Sequence, residues 1–227
     1  MKLSSGPCTT ASDQSKPVRW HFHKHALSAT LVVCLVALAS PAEAKVVHTR
    51  VNVTISGNGS IALDLNHDGI TDFTIVAVGR ALICAGTGKG EFGYVTVSPA
   101  QEGAGMVSAW PGSSWAAVLG KGVEIDSSQS FYDTQAIMTE FTTCLWPPHG
   151  PPEGDWEEVT NRFLGLVFSI DGATHYGWAR VSVHPATDGT VITLTDFAYE
   201  TIPDQAIKTG QTSDGAASEG RSTRQLF

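Results

Sequence analysis

The residues with the clearest chemistry lie in one short stretch, Asp64-Leu65-Asn66-His67-Asp68-Gly69-Ile70-Thr71-Asp72-Phe73. Oxygen-bearing side chains recur at its first, third, fifth and ninth positions: Asp64, Asn66, Asp68 and Asp72. Gly69 stands sixth, where a sharp turn would bring the Ile70 carbonyl inward at the seventh. Calcium takes six to eight hard oxygen ligands, and this spacing wraps such ligands around one centre. Three carboxylates crowded into one turn repel each other unless a cation sits among them. The competing reading is an Asx-rich turn that binds nothing. Ile75 occupies the twelfth position, where an EF-hand needs a bidentate Glu, so that motif is excluded. The expected metal ligands are therefore Asp64, Asn66, Asp68, Asp72 and the carbonyl of Ile70, and the expected cofactor is Ca2+.

Other chemistry is weaker. Along residues 175–184 (HYGWARVSVH), Tyr176, Trp178, Arg180, Ser182 and His184 share one face of a strand, while Gly177, Ala179, Val181 and Val183 share the other. The first face reads either as an aromatic platform for sugars or as part of the core, and large aromatics more often supply burial. Residues 144–156 (CLWPPHGPPEGDW) hold Trp146, Trp156, His149, Glu153 and Asp155 on a proline-rich loop. Binding residues favour such loops. Tyr176, Trp178, Arg180, Trp146 and Trp156 are the candidate ligand contacts. Glu153 or Asp155 with Glu157 or Glu158 could form the acid and base of a glycosidase, but nothing in the spacing demands it, and solvated charges on a proline-rich loop are the favoured reading. No nucleophile elbow, zincin helix or phosphate loop is present. No catalytic residue is assigned, and an enzyme is the less favoured class.

The elements that must position these residues are strands. Residues 46–55, 73–78 and 92–97 are short, β-branched or apolar runs bounded by Gly or Asp. Residues 60–63 and 73–78 flank the acidic loop as strand-like runs. Residues 162–170, 175–184 and 190–200 are joined through Asp171-Gly172 and Asp188-Gly189. Asp-Gly between alternating runs is a strong hairpin signal, so a three-stranded antiparallel meander is expected. No window has a sustained helical period. With 23 glycines and 11 prolines and only 16% charged residues, helix bundles and coiled coils are disfavoured. The expected fold is an all-β antiparallel sandwich, jelly-roll or lectin-like, in one domain over residues 45–209. Residues 210–227 turn to Ser, Gly, Ala and charge and read as a disordered tail.

Residues 1–44 read as a cleaved signal peptide. Lys16, Arg19 and Lys24 precede an apolar run over residues 26–39, Pro41 breaks it, and Ala42-Glu43-Ala44 offers small residues to a signal peptidase. The run is shorter than the ~20 residues that span a bilayer, so stable membrane insertion is not expected. Of 14 basic and 22 acidic residues, four and two fall before Lys45, which leaves a net charge of −10 on 183 residues. That acidity excludes a nucleic-acid partner, which requires clustered Lys and Arg. Cys8 and Cys34 leave with the leader, and so do His21, His23 and His25. Cys84 and Cys144 remain, and in an oxidising compartment they form the expected disulfide, worth roughly 4 kcal/mol in the chain-entropy model.

Two resemblances add to these readings. The acidic loop between strand-like runs resembles the calcium hairpins of FG-GAP repeats, which read Asp-x-Asn-x-Asp-Gly-x-x-Asp before an apolar strand. It occurs once here, so the resemblance implies the loop and not a propeller. The blocks RFLGLVF from Arg162, HYGWARV from His175 and FAYET from Phe197, with the acidic loop, resemble uncharacterised bacterial secreted proteins, many with a PEP-CTERM sorting tail that this chain lacks. That resemblance implies secretion and a β fold, and no reaction. The expectation is a secreted (extracellular or periplasmic), calcium-binding sandwich that binds an extracellular polysaccharide or surface glycan. The alternatives are a polysaccharide hydrolase using loop carboxylates and a structural matrix protein.

Overall fold

In the computed structural model, residues 45–84, 88–142, 155–186 and 189–213 are described. They all lie within one compact unit, Pro41–Phe227. Twelve strands are present among them: β1 (Val46–Ser56), β2 (Gly59–Leu63), β3 (Phe73–Cys84), β4 (Gly88–Pro99), β5 (Gly105–Val107), β6 (Glu124–Ile125), β7 (Phe131–Tyr132), β8 (Ala136–Thr142), β9 (Val159–Ile170), β10 (Ala173–Ala186), β11 (Gly189–Glu200) and β12 (Ile207–Lys208). One sheet has the order β1-β11-β10-β9-β5-β7, a second β2-β3-β4-β8, and β12 pairs with β6. All strand pairings are antiparallel. The protein is all-β and sandwich-like, as its composition implied. No helix among the described residues is long and apolar enough to cross a membrane.

The meander is present as β9-β10-β11. Asp171 and Gly172 adopt φ of 51° and 81° in the first turn, the positive pair that matches the twist of the flanking strands. The strands run longer than their apolar cores suggest, because ladder hydrogen bonds continue past the last residue that needs burial. β3 reaches Cys84 rather than residue 78, and β9 starts at Val159 rather than residue 162. β5, β6, β7, β8 and β12 carry no signal strong enough to read from sequence: four of them are only two or three residues long.

The meander sheet is apolar on both faces, and this is the main departure from a simple two-layer sandwich. Ala179, Val181, Val183, Leu164, Leu166 and Phe168 join the core shared with Leu63, Phe73, Ile75 and Val97 of the second sheet. The opposite face carries Tyr176, Trp178, Phe163 and Ala198, which pack with Val107 of neighbouring β5 and with Ile125 and Ile207 of the β6–β12 pair. A strap at the C-terminal end pins this cover in place: Thr209 Oγ1 donates to the Gly120 carbonyl at 2.7 Å, and Trp178 Nε1 donates to the Gln211 carbonyl at 3.2 Å. Residues 210–213 therefore belong to the fold, which moves the boundary of the expected tail. Gly165 sits where a Cβ would come within 2.6 Å of Val107 Cγ2, so close packing of this cover requires glycine there.

Cys84 ends β3 and is buried. Its expected partner Cys144 lies outside the described residues, as do Trp146, His149, Glu153, the leader over residues 1–44 and residues 214–227.

Candidate metal centre

The acidic loop connects β2 to β3, antiparallel neighbours in register from Gly59↔Ala77 to Leu63↔Phe73. Strands on both sides confirm that the loop is a hairpin connection and not a helix-flanked one. Its two ends are fixed by the core. Leu65 and Phe73 are fully buried, and Asp72 N–H donates to the Leu63 carbonyl at 2.8 Å while the Asp72 carbonyl accepts from Ala100 at 2.8 Å. The tip is outside: Ile70 is 54% exposed. His67 turns back toward the other sheet, its Nε2 2.7 Å from Thr49 Oγ1 and its ring 5.7 Å from Phe197.

Within that frame the side chains fold onto their own backbone. Asp64 Oδ2 accepts from Gly69 N–H at 2.9 Å, and Asp68 Oδ1 accepts from Ile70 N–H at 2.7 Å. Asn66 Nδ2 donates to Asp68 Oδ2 at 2.9 Å, and its Oδ1 accepts from Asp68 N–H at 3.3 Å. Asp72 Oδ2 accepts from Leu65 N–H at 2.7 Å. The bonds from Asp68 N–H to Asn66 and from Ile70 N–H to Asp68 are the Asx turns that the residue types favour, with Gly69 at φ 86° supplying the tight bend.

Hydrogen bonds do not satisfy the whole cluster. Asp64 Oδ1 is buried with no hydrogen-bond partner, the one such side-chain oxygen or nitrogen among the described residues. Asp72 is 3% exposed. Burial pushes its pKa up to about 6, against the Leu65 hydrogen bond and with help from the negative charges of Asp64 and Asp68. The loop thus holds three mutually repelling carboxylates and an oxygen that no group among the described residues satisfies. No group of three or more His, Cys, Asp or Glu side chains among the described residues is arranged as a finished metal site. Asp64 and Asp72 each commit one oxygen to the turn, which leaves the other free of that duty, whereas Asp68 uses both of its oxygens within the loop. The donor set (carboxylates, an amide oxygen and a backbone carbonyl) is the hard-oxygen chemistry of calcium.

The candidate ligand contacts fare differently. Tyr176, Trp178 and Trp156 are buried, the last donating from Nε1 to the Ala116 carbonyl at 3.0 Å. They form the core, and the sugar-platform alternative gives way because the β6–β12 pair packs on that face of β10. Arg180 is committed to Asp196 through Nε and Nη2 and lies 5.8 Å over the Phe163 ring. Asp155 and Glu158 are exposed. Glu157 has its pKa raised by burial and by neighbouring Glu158.

Sequence reasoning missed two features. Trp110 is 58% exposed on a turn closed by Ser113 N–H donating to the Trp110 carbonyl at 2.9 Å, with Gly112 at φ 78°. The signal was Trp110-Pro111-Gly112, a turn tripeptide with an aromatic at its head. The second is a buried polar cluster: Asp196 accepts from Arg180, from His48 Nε2 at 2.9 Å and from Thr195 Oγ1 at 3.1 Å. Burial alone would raise the Asp196 pKa. The bonds from Arg180 and His48, the Arg180 charge and the Thr195 hydroxyl outweigh it and hold the carboxyl below its usual range. The ladder shifts register here, between Arg180 and Val181 on β10 and between Arg50 and Val53 on β1, which places the three donors around one carboxylate.

No protein-family model matches the chain, and neither the curated proteins nor the solved structures contain a match to it.

Proposed function

We propose that the chain is an exported, calcium-stabilised β-sandwich protein that binds an extracellular polysaccharide or surface glycan. The observation that carries the calcium reading is Asp64 Oδ1, buried and unpartnered in a loop that also holds Asp68 and Asp72. A buried acceptor left unmade costs about 1–3 kcal/mol, more when charged, and a divalent cation would relieve both that cost and the repulsion. Asp64, Asn66, Asp68, Asp72 and the Ile70 carbonyl would supply oxygen ligands, Asp68 exchanging turn hydrogen bonds for the ion. A weak site suffices outside the cell, where modules with dissociation constants near 10⁻⁴–10⁻³ M are filled. A Cys84–Cys144 disulfide belongs to the same reading of an oxidising compartment.

Calcium at about 100 times its dissociation constant should stabilise the protein by about 2.7 kcal/mol and raise Tm accordingly. Asp64→Asn and Asp68→Ala should each abolish the rise. A melting curve indifferent to calcium and to chelator would refute the site.

The glycan reading rests on Trp110, whose exposed ring is held on a closed turn. An aromatic face fixed in advance loses little entropy when a sugar ring stacks on it. Trp110→Ala should leave the unfolding free energy within about 0.5 kcal/mol of the parent, as surface substitutions do, and remove binding on a glycan array with calcium present. No binding by the parent protein to any polysaccharide would leave the structural matrix alternative standing.

A further inference from the structure

Glu200 ends β11 opposite Val46 and is only 2% exposed. Buried carboxylates require a cation or several donors, yet no ion pair to Glu200 exists among the described residues. What its Oε1 accepts instead are two backbone N–H groups, from Lys45 at 3.1 Å and from Ile202 at 3.0 Å. The Lys45 carbonyl in turn accepts from Thr201 N–H at 3.1 Å, so the backbone of residue 45 is held on both sides at the head of the edge strand. His175 Nδ1 donates to the Glu200 carbonyl at 2.8 Å, which fixes that residue's own backbone.

Lys45 is also the residue that follows Ala42-Glu43-Ala44, the small-residue stretch that a signal peptidase would read. Two independent observations, a cleavage pattern in the sequence and a buried carboxylate in the fold, meet on one nitrogen. We infer that Glu200 is the receptor for the α-ammonium that cleavage creates at Lys45, so that removal of the leader completes a buried ion pair. This rests on the reading of residues 1–44 as an export segment. Hydrolysis adds the hydroxyl of one water to the Ala44 carbonyl and its hydrogen to the Lys45 nitrogen. That nitrogen, now an amine, takes a further proton from solvent at neutral pH. The peptide N–H that donated one hydrogen bond to Oε1 becomes a cation beside it, and charge-assisted bonds are roughly twice as strong as neutral ones. The mature chain is thereby locked at its first residue, whereas an uncleaved chain leaves Glu200 buried with neutral donors only.

The test compares the full chain from Lys45 to Phe227 with a free α-amine, the same chain Nα-acetylated, and both forms carrying Glu200→Gln. The free-amine form should melt roughly 3–6 °C above the acetylated one, and Glu200→Gln should erase that difference. Equal melting of the two parent forms, or a difference that survives Glu200→Gln, overturns the receptor. A second readout does not depend on the variant folding. The Lys45 α-amine, followed by peptide mapping apart from the lysine ε-amines, should react with an acylating reagent at least about ten-fold more slowly in the native protein than in urea, because the α-amine is held against Glu200. Equal rates overturn the receptor as well. The mass of the exported protein addresses the underlying export reading separately. A first residue other than Lys45 overturns the cleavage step, while the melting comparison reports on Glu200 alone.

Discussion

Asp196 and Asp72 are both almost fully buried, at 2% and 3% exposure, and the fold treats them in opposite ways. Asp196 is surrounded by Arg180, His48 and Thr195, and its carboxyl is held below its ordinary range. Asp72 receives one backbone N–H from Leu65, faces Asp64 and Asp68, and is pushed up to about 6. At Asp196 the buried carboxylate is met by the protein's own Arg180, whereas no cation pairs with Asp72 among the described residues. A closed ion-pair cluster is a structural device, and an open carboxylate cluster is one that a solvent cation can complete.

The sharpest way to test that contrast is to make the same substitution at both positions. Asp196→Asn leaves Arg180 and His48 facing a neutral amide and should cost about 2–3 kcal/mol, below the 3–5 typical of a broken buried pair because the Arg180 side chain is a third exposed. Tm should fall by roughly 5–10 °C for a domain of this size. Asp72→Asn should act with the opposite sign in calcium-free buffer. It removes a charge that faces two others, keeps an oxygen for Leu65, and should stabilise by about 1–2 kcal/mol while eliminating any response to calcium. Destabilisation by both substitutions in thermal unfolding would break the comparison.

Acidity gives a smaller and independent contrast. Asp196 has a folded pKa below its unfolded value of 3.8. Its contribution is therefore present above pH 4 and lost as the pH falls through the folded pKa. Asp72 has a folded pKa above its unfolded value, so its contribution is present below pH 4 and lost as the pH rises through about 6. Calcium-free protein should accordingly lose stability on going from pH 5 to pH 7.5, and Asp72→Asn should flatten that slope. Unfolding midpoints across this range, with chelator, provide the measurement; a slope unchanged by Asp72→Asn would assign it to other groups.

The loop was legible in the sequence because its chemistry is local. Side chains two residues apart, a glycine at the bend and apolar anchors at Leu65 and Phe73 determine its course within ten residues. The meander was legible for the same reason, since Asp171-Gly172 permits one tight turn and alternation sets the strands on either side. Trp178 was different. Alternation assigned it correctly to the face opposite Val181, but whether that face met solvent or protein depended on residues as distant as Ile125, Ile207 and Gln211.

Local spacing, turn chemistry and composition, then, were enough to determine an all-β chain with an acidic hairpin loop and a set of candidate oxygens. Only the tertiary structure decided which carboxylates found partners. Asp196 met Arg180 across adjacent strands and His48 from β1, 148 residues away in the chain, whereas Asp64 Oδ1 met none. The physical reason is range: a turn is stabilised by groups a few bonds apart, whereas neutralising a buried charge requires that separate strands converge on it.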